Sequence, residues 1–340
     1  MADVRARRAQ LARLRVLAEK AVRAYDLGPA RLTLIQHEEN TTYLVTAAKD
    51  RFVLRIHRPP LRTAQTVSSE LRWLQALAEG TSLAIPQPVP TADGALLVQA
   101  SGPGLTGSRI CVLFRWLPGR FLEVGLTPQH LRQVGRLAAH LQEHARAWSA
   151  PSDFRRPRLG LITEGVRAGE AAGVLERQAR EEPTLTADPD RACVELETVV
   201  GPQGVRPVRE LLDRVLSHRA ALGTGPAVYG LQHGDLHQEN YLFHHGTIGV
   251  IDFDDCGFGW YIDDLAVTAS EIQGRPDTAE LLDALVDGYG APVDRPALEL
   301  HIAFRYLQIA VWKLSLRSTF PDTWQADVEG LVGAIARRVG

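Results

Sequence analysis

The sequence predicts an α+β protein of two lobes, a small β-rich N-terminal lobe and a larger, mainly helical C-terminal lobe. The chain has 340 residues, which is enough for two lobes or domains. Short β-like runs fill much of residues 31–117, whereas helical spacing of apolar residues dominates later. A Pro-Gly pair at 118–119 ends the last of the early runs. We therefore predict an N-terminal lobe over 1–116, a C-terminal lobe over 117–340 and a hinge at about 114–119.

Composition and charge restrict the class of partner. The net charge is −2 and charged residues make up 23% of the chain, so neither a nucleic acid nor a membrane surface is indicated as a partner. The three cysteines are far apart and form no C-x-x-C pair, which is typical of free thiols in a reducing compartment. No apolar run approaches the roughly 20 residues of a membrane span. We expect a cytoplasmic protein, and the oligomeric state is left open.

The N-terminal lobe is predicted from five short β-like runs and two amphipathic helices. One helix precedes the first three runs and the other follows them. Residues 4–25 have apolar residues at helical spacing and are expected to pack on this lobe. The β-like runs lie at 32–35, 42–45, 51–56, 95–99 and 109–117, with a helix over 63–79. Residues Gly102–Gly107 satisfy the dinucleotide-binding pattern G-x-G-x-x-G. That pattern must open a helix, and the next segment is β-like, so we predict a hairpin tip without a cofactor role.

Two charged residues of this lobe are predicted to meet. Arg55 lies within an apolar strand, where a charge indicates either a solvated strand face or a phosphate ligand. Glu70, Leu74 and Leu77 share one stripe of the helix over 63–79, so Glu70 is expected to face inward. A buried carboxylate requires a cation, and Arg55 is the natural partner. The alternative is an exposed Glu70 at the edge of the stripe.

The most informative stretch runs from Leu231 to Asp255. Apolar runs flank His245-Gly246, which predicts a β-hairpin with a two-residue turn. The register of such a hairpin brings Asn240 to within about 8 Å of Asp252. Asp235 lies just upstream. Phosphoryl transfer from a metal-bound nucleotide requires one carboxylate that orients a hydroxyl and two oxygen ligands for Mg²⁺. A simpler interpretation has Asp235 and Asp252 capping turns.

The order of these residues resembles a known family. His233-x-Asp235-x4-Asn240, followed by Ile251-Asp252-Phe253 and Asp264-Leu-Ala, is similar to the aminoglycoside phosphotransferase and choline kinase-like superfamily, which has a protein-kinase-like fold. The likeness extends over residues 31–317. It implies a nucleotide-binding N-terminal lobe, a catalytic and substrate-binding C-terminal lobe, and the cofactors ATP and Mg²⁺.

The resemblance also implies a role for individual residues. Asp235 is the expected catalytic residue, and Asn240 and Asp252 are the expected Mg²⁺ ligands. His233 and Asp264 are expected to support the catalytic loop. The residues expected at the nucleotide are Arg55, at a position where the superfamily usually has lysine, Glu70 as its partner, Asn40 in the turn over the phosphates, Phe114 at the adenine pocket, and the main chain of Arg115 and Leu117.

The resemblance implies an enzyme that phosphorylates a hydroxyl of a small molecule, such as an aminoglycoside, an amino alcohol, a homoserine-like amino acid or a sugar. The 12 residues from Asp252 to Asp264 are too few for the activation segment of a protein kinase. Two alternatives remain: a protein serine/threonine kinase of the bacterial stress-response type, and a nucleotide-binding pseudokinase, since the usual lysine and a Gly-rich loop are missing. A zinc hydrolase using His233, Asp235 and His237 is a further alternative.

The sequence leaves the identity of the acceptor open. Asp254, Asp255 and Glu271 could suit a cationic amine, whereas a homoserine-like acceptor would need a carboxylate partner such as Arg305. Four aromatic residues either line an acceptor pocket or belong to the helical core: Trp260, Tyr261, Tyr306 and Trp312. Helices are predicted at 127–148, 164–180, 208–222, 276–289, 296–317 and 321–338, the last three opened by proline.

Overall fold

The computed structural model of the protein describes residues 2–38, 40–59, 62–122, 125–159, 189–315, 317 and 323–340. The chain divides into two units. The first contains the chain up to Arg120 together with Ser149–Arg155 and Gly249–Asp254. The second contains Phe121–Trp148, Arg156–Ile248 and Asp255–Gly340. The predicted lobe boundary between residues 116 and 117 stays a prediction.

An antiparallel sheet of five strands forms the first unit, as the sequence predicts. The strands are β1 (Ala30–His37), β2 (Thr41–Ala47), β3 (Asp50–Ile56), β4 (Val98–Ala100) and β5 (Arg109–Arg115). Their order in the sheet is β1-β2-β3-β5-β4. Residues Gly102–Gly107 lie between β4 and β5, which pair directly, so the glycine-rich pattern opens no helix and forms the connection of a hairpin.

Two helices accompany this sheet. Helix α1 (Ala2–Val22) buries Leu17, Ala18 and Ala21 in the same apolar cluster as the inward side chains of β2 and β3. Helix α2 (Ala64–Gly80) begins after Thr63, whose hydroxyl accepts a hydrogen bond from the amide of Thr66. Such a cap satisfies one of the helix's free N–H groups and fixes where α2 starts.

The second unit is mainly helical. Its helices are α3 (Pro128–Ala147), α4 (Pro189–Leu222), α5 (Tyr261–Glu271), α6 (Thr278–Tyr289), α7 (Arg295–Ser315) and α8 (Trp324–Val339). Apolar residues of α4, α7 and α8 form one core cluster. Helix α4 bends at Gly201, where φ is 72°. Strands β6 (Tyr229–Gln232) and β9 (Gly257–Trp260) pair antiparallel in the same unit.

Several predicted helix starts were wrong by a few residues. Helix α6 begins at Thr278 and leaves Pro276 outside, and α7 begins at Arg295, one residue before Pro296. Pro321, the predicted start of the last helix, lies outside the described residues, and α8 begins at Trp324. The helix predicted over 164–180 also lies outside the described residues. The strand predicted at 95–99 is shorter and shifted to β4.

The predicted hairpin around His245-Gly246 is confirmed. Strands β7 (Tyr241–His244) and β8 (Thr247–Val250) form a two-stranded sheet. His245 and Gly246 have φ values of 46° and 79°. Positive φ at both central residues is the conformation of a type I′ turn, whose twist matches that of the paired strands.

Cys111, Cys193 and Cys256 are free and buried. Within the described ranges, no helix combines the length and the apolar character needed to cross a membrane.

Candidate active site

A buried ion pair joins β3 to α2 in the first unit. Nη2 of Arg55 lies 2.5 Å from Oε1 of Glu70, and the two side chains are 8% and 0% exposed. The face of β3 that carries Arg55 is therefore buried, so the alternatives of a solvated strand face and of an exposed Glu70 are wrong. The alternation of side chains along β3 directs Arg55 into the interior of the unit, and the periodicity of α2 directs Glu70 into the same interior.

Arg55 has further neighbours in the same unit. Its Nη1 lies 3.4 Å from Oδ1 of Asp252, and its guanidinium lies 5.0 Å from the centre of the Phe114 ring. Burial disfavours the charge of Arg55, but the carboxylates of Glu70, Asp254 and Asp252 outweigh it and raise the pKa of Arg55 above its ordinary value. Arg55 therefore stays charged while it contacts a predicted metal ligand and the predicted adenine-pocket residue.

Asp254 gathers three side chains of the first unit. Its carboxylate accepts hydrogen bonds from Nδ2 of Asn40 at 3.2 Å and from Nε of Arg62 at 3.1 Å, and Nδ1 of His57 lies 3.6 Å away. Burial raises the pKa of Asp254, but the charges of Arg62, Arg55 and His57 prevail and hold it well below its usual range. Asp254 thus holds the side chain of Asn40 and, through Arg62, the segment that precedes α2.

The predicted adenine-side residues lie at the end of β5. Phe114 is buried, Arg115 is exposed and Leu117 is partly buried. The amide of Arg115 donates a hydrogen bond to the carbonyl of Gln87 at 2.9 Å. A main-chain contact from Arg115 to adenine would therefore have to use its carbonyl group as an acceptor, leaving the donor to Leu117.

A carboxylate of α5 braces the loop that follows β6 in the second unit. Asp264 accepts hydrogen bonds from the amides of His233 at 2.9 Å and Gly234 at 2.8 Å. Its neighbour Asp263 accepts from Nη2 of Arg219 at 2.9 Å and lies 2.6 Å from Nδ1 of His301. The first turn of α5 is thus anchored on one side by Asp263 and holds the loop on the other by Asp264.

Asp235 lies in this loop between two basic side chains. Nη2 of Arg305 lies 2.6 Å from its Oδ1, and Nε2 of His237 lies 3.2 Å from its Oδ2. Burial raises the pKa of Asp235, but the hydrogen bond from His237 and the charge of Arg305 prevail and hold it below its usual range. Burial opposes the charge of His237, yet the hydrogen bond and charge of Asp235 raise the pKa of that imidazole. Asp235 is therefore a carboxylate held in a fixed orientation.

Asn240 is positioned by the backbone of the same loop. Its Nδ2 donates to the carbonyl of Asp235 at 2.9 Å, and its amide donates to the carbonyl of His237 at 2.9 Å. Next along the chain, the hydroxyl of Tyr241 donates to the carbonyl of Leu236 at 2.5 Å and lies 2.6 Å from Oγ1 of Thr268. Buried polar contacts thus fasten the loop and restrict its conformation.

Asp252 follows β8 in an unusual backbone conformation. Its φ is 64°, which non-glycine residues seldom adopt, and its side chain is 53% exposed. Asn240 belongs to the second unit and Asp252 to the first, so the predicted distance between them stays a prediction.

Two contacts of the loop were not predicted. His237 was considered only as a zinc ligand, although its spacing of two residues from Asp235 hints at a contact. Arg305 was expected to meet a substrate carboxylate, and the structure places it on Asp235. Nothing local in the sequence signals a contact between residues so far apart.

The zinc alternative finds no support in this geometry. In the part of the chain that the structure describes, no group of three or more His, Cys, Asp or Glu side chains converges as a metal site. His233 is fully buried, and its Nδ1 accepts from the amide of Asp235 at 3.3 Å. His233 therefore serves the fold of the loop.

Most of the candidate acceptor-pocket aromatics are structural. Tyr261 is buried, and the indole of Trp260 donates to the carbonyl of Gly223 at 2.9 Å. Tyr306 lies beneath Arg338, with 5.0 Å between the guanidinium and the ring centre. Trp312 is exposed. Asp255 is exposed as well.

Comparison with known proteins agrees with the fold and the motifs. The model of the phosphotransferase enzyme family matches residues 31–301. An uncharacterized protein of Deinococcus radiodurans is 32% identical over 313 residues, which cover 88% of this chain and 80% of the relative. The structure of a microcompartment-associated aminopropanol kinase is similar with a TM-score of 0.70 and 28% identity, over 94% of this chain and 95% of that one.

A second solved structure is the amicoumacin kinase hAmiN in complex with AMP-PNP, Ca²⁺ and Ami. It is similar with a TM-score of 0.70 and 20% identity, over 93% of each chain, and this likeness concerns the fold. The predicted kinase-like fold and the predicted enzyme class, a phosphotransferase with an alcohol group as acceptor, are confirmed. The chain belongs to the phosphotransferase enzyme family.

Proposed function

We propose that this protein is an ATP- and Mg²⁺-dependent kinase that transfers the γ-phosphoryl group of ATP to a hydroxyl of a small molecule. The observation that carries the proposal is the loop of the second unit, in which Asp264 braces the backbone and Asp235 is held as an oriented carboxylate. An oriented carboxylate beside an acceptor hydroxyl is what the catalytic loop of a kinase supplies.

The proposed reaction uses Asp235 as the proton acceptor. The acceptor oxygen forms a bond to the γ-phosphorus while the bond from that phosphorus to the β–γ bridging oxygen breaks, and its electron pair leaves with ADP. The hydroxyl proton passes to the carboxylate of Asp235 late in a loose transition state. His237 and Arg305 stabilise the ionised form of Asp235 and keep its oxygens from rotating.

A divalent cation fits the residues predicted to bind it. The side-chain nitrogen of Asn240 donates a hydrogen bond to the carbonyl of Asp235, so the side-chain oxygen is the atom that would bind a cation. Asp252 offers a carboxylate that is half exposed. Hard oxygen donors of this kind suit Mg²⁺, which would neutralise charge on the β- and γ-phosphates. The Ca²⁺ bound by the solved amicoumacin kinase is consistent with divalent metal use in the family.

The nucleotide is assigned to the first unit. Arg55, fixed by Glu70, would hold the α- and β-phosphates through its two-pronged guanidinium. Asn40, tied to Asp254, would contribute to the turn over the phosphates. Phe114 would border the adenine, with the main chain of Arg115 and Leu117 as its hydrogen-bonding partners. The proposal keeps the predicted division into a nucleotide-binding lobe over 1–116, a catalytic and substrate-binding lobe over 117–340 and a hinge at about 114–119.

The main alternatives differ in substrate and in chemistry. After Asp252 the chain forms a short 3₁₀ turn, then β9, and enters α5 at Tyr261, which leaves no long segment for a peptide to bind. This disfavours a protein kinase. The presence of Asp235, Asn240 and Asp252 in the sequence argues against a pseudokinase. The buried thiols are compatible with a cytoplasmic location.

Substitution of Asp235 by asparagine tests the proposal. ADP release would be measured over a panel of aminoglycosides, amino alcohols, hydroxy-amino acids and sugars, with ATP binding followed by thermal stabilisation. Asp235→Asn should retain ATP binding and lose transfer by about 10³-fold, the middle of the range of about 10²–10⁴-fold that a general base contributes. Asp283→Asn is the matched control, because Asp283 lies on the surface of α6 with a side chain that is 71% exposed.

Three results would contradict the proposal. Unchanged turnover of Asp235→Asn would show that Asp235 is not the proton acceptor. ATP-dependent stabilisation without ADP release for any acceptor would favour the pseudokinase. Efficient phosphorylation of a generic protein substrate would favour the protein kinase.

A further inference from the structure

Two opposite charges flank Asp235 within the second unit. Arg305, on α7, contacts the carboxylate of Asp235 at 2.6 Å, and its side chain remains 21% exposed. Glu271, the last residue of α5, is exposed, and its charge acts on both His237 and Arg305. An acceptor hydroxyl brought to Asp235 thus arrives near one exposed carboxylate and one guanidinium.

The guanidinium of Arg305 has bonding capacity beyond Asp235. It carries five N–H donors, and its contact with Asp235 uses one of them. Its Nε is buried and has no hydrogen-bond partner among the described residues. A buried donor without a partner costs about 1–3 kcal/mol. A carboxylate that bound Nε together with an Nη would remove that cost through the paired geometry that arginine and carboxylates favour.

The contact with Asp235 itself indicates what Arg305 meets during the reaction. Arg305 already binds one carboxylate here, that of Asp235 at 2.6 Å, so its guanidinium is placed to bind a carboxylate of the acceptor in the same way. An anionic group on the acceptor would draw Arg305 toward itself and loosen its hold on Asp235. The neighbouring helix residues Phe304 and Leu307 are buried in the core, so the helix that carries Arg305 is fixed and only its side chain has to move.

We infer that the acceptor is a hydroxy-amino acid, with its carboxylate bound by Arg305, its ammonium group by Glu271 and its side-chain hydroxyl by Asp235. The inference rests on the proposed function and narrows its substrate class. An amino alcohol would leave Arg305 on Asp235, and a polycationic aminoglycoside would bring like charges against Arg305, which disfavours both.

Matched pairs of acceptors test the inference. Each hydroxy-amino acid is compared with the amino alcohol that lacks only its carboxylate: L-serine with ethanolamine, L-homoserine with 3-aminopropan-1-ol, and L-threonine with 1-aminopropan-2-ol. 4-Hydroxybutyrate serves as the analogue of homoserine without its ammonium group. For the best amino acid, kcat/KM should exceed that of its amino alcohol by at least about 10-fold, as expected for a desolvated charge-assisted contact.

Arg305→Gln should reduce that ratio of kcat/KM values by about 10-fold or more, and Arg305→Lys should restore part of it. A merely structural role of Arg305 would lower both members of a pair equally and leave the ratio unchanged. The matched control is Arg295→Gln on the same helix, where Arg295 pairs on the surface with Asp283 at 2.6 Å. The ratio should not change in this variant.

A measurement on the unaltered protein guards against variants that fail to fold. With a non-hydrolysable ATP analogue and Mg²⁺ present, the amino acid should raise the thermal midpoint more than its amino alcohol does at equal concentration. Preference for amino alcohols or aminoglycosides, or equal use of both members of every pair, overturns the inference while transfer dependent on Asp235 leaves the proposed function standing. Absence of transfer to every acceptor class overturns both.

Discussion

The buried pair of Arg55 and Glu70 allows a quantitative test of how the first unit is held together. Glu70→Gln removes one charge from a pair whose nitrogen and oxygen lie 2.5 Å apart and leaves the guanidinium buried. Breaking such a pair costs about 3–5 kcal/mol. Asp252, 3.4 Å from the other nitrogen of Arg55, retains part of the compensation, so we expect a loss near the lower limit, about 3 kcal/mol.

The size of this loss should depend on burial and not on the short distance. Arg72 and Asp153 provide the comparison, because they lie 2.6 Å apart at the other face of α2 with side chains 40% and 59% exposed. Arg72→Gln should leave the free energy of unfolding essentially unchanged, since water screens exposed pairs. The double variant Arg55→Met with Glu70→Leu should recover to within about 1 kcal/mol of the wild type, because apolar replacements avoid the cost of an unpaired charge.

Labelling of Cys111 in a urea series measures these effects where they occur. Cys111 lies on β5 opposite Ile56 of β3, is fully buried, and burial raises the pKa of its thiol to about 12. Its labelled fraction, read by mass spectrometry after a short pulse of thiol reagent, therefore reports opening of the sheet around Arg55. Two results would refute this expectation: a cost of Glu70→Gln no larger than that of Arg72→Gln, or a double variant Arg55→Met with Glu70→Leu that is no more stable than Glu70→Gln.

Two further substitutions test the second unit. Asp264→Asn should lower turnover by about 100-fold by displacing the loop amides that Asp264 binds. Burial raises the pKa of Asp264 from 3.8 to about 6, so its protonation stabilises the fold fully below pH 3.8 and this stabilisation is lost as the pH rises through 6. In Asp264→Asn the free energy of unfolding should therefore change less with pH between 3.8 and 6 than in the wild type. The same pH dependence in both proteins would contradict this. Gly135→Ala would bring a methyl group to 2.1 Å from a carbonyl of α6 and should cost about 3 kcal/mol or more in urea unfolding. Gly330→Ala, in open space on α8, is the control and should stabilise by about 0.5–1 kcal/mol.

Local patterns predicted the features that local physics determines. The turn at His245-Gly246 follows from backbone conformation alone, since glycine tolerates the positive φ that a type I′ turn requires. The meeting of Arg55 with Glu70 follows from combining the period of a strand with that of a helix. In both cases the conformation of a residue, or the direction of its side chain, depends only on the turn, strand or helix to which it belongs.

Features that depend on tertiary packing have no local signal in the sequence. Helix α6 starts at Thr278 because the side chain of Thr278 bonds the backbone of Ile272 and Arg275 and holds the preceding turn together, a contact that a proline rule does not anticipate. The contact of Arg305 with Asp235 joins a helix to a distant loop. Its partner could be found only after α7 was packed beside the loop, since a helical arginine has no preferred carboxylate in sequence.

The replacement of the usual lysine by Arg55 is compatible with catalysis because of how its charge is distributed. Its two terminal nitrogens contact different carboxylates, Nη2 that of Glu70 and Nη1 that of Asp252. A lysine has one nitrogen and could not keep both contacts at these positions. Asp252 adopts a φ of 64°, which costs a non-glycine residue about 1–2 kcal/mol. Its contact with the guanidinium of Arg55 helps to offset that cost. A guanidinium fork at this position therefore organises a predicted metal ligand as well as a predicted phosphate site, a combination that argues for a working phosphotransferase and against a residue left over from lost activity.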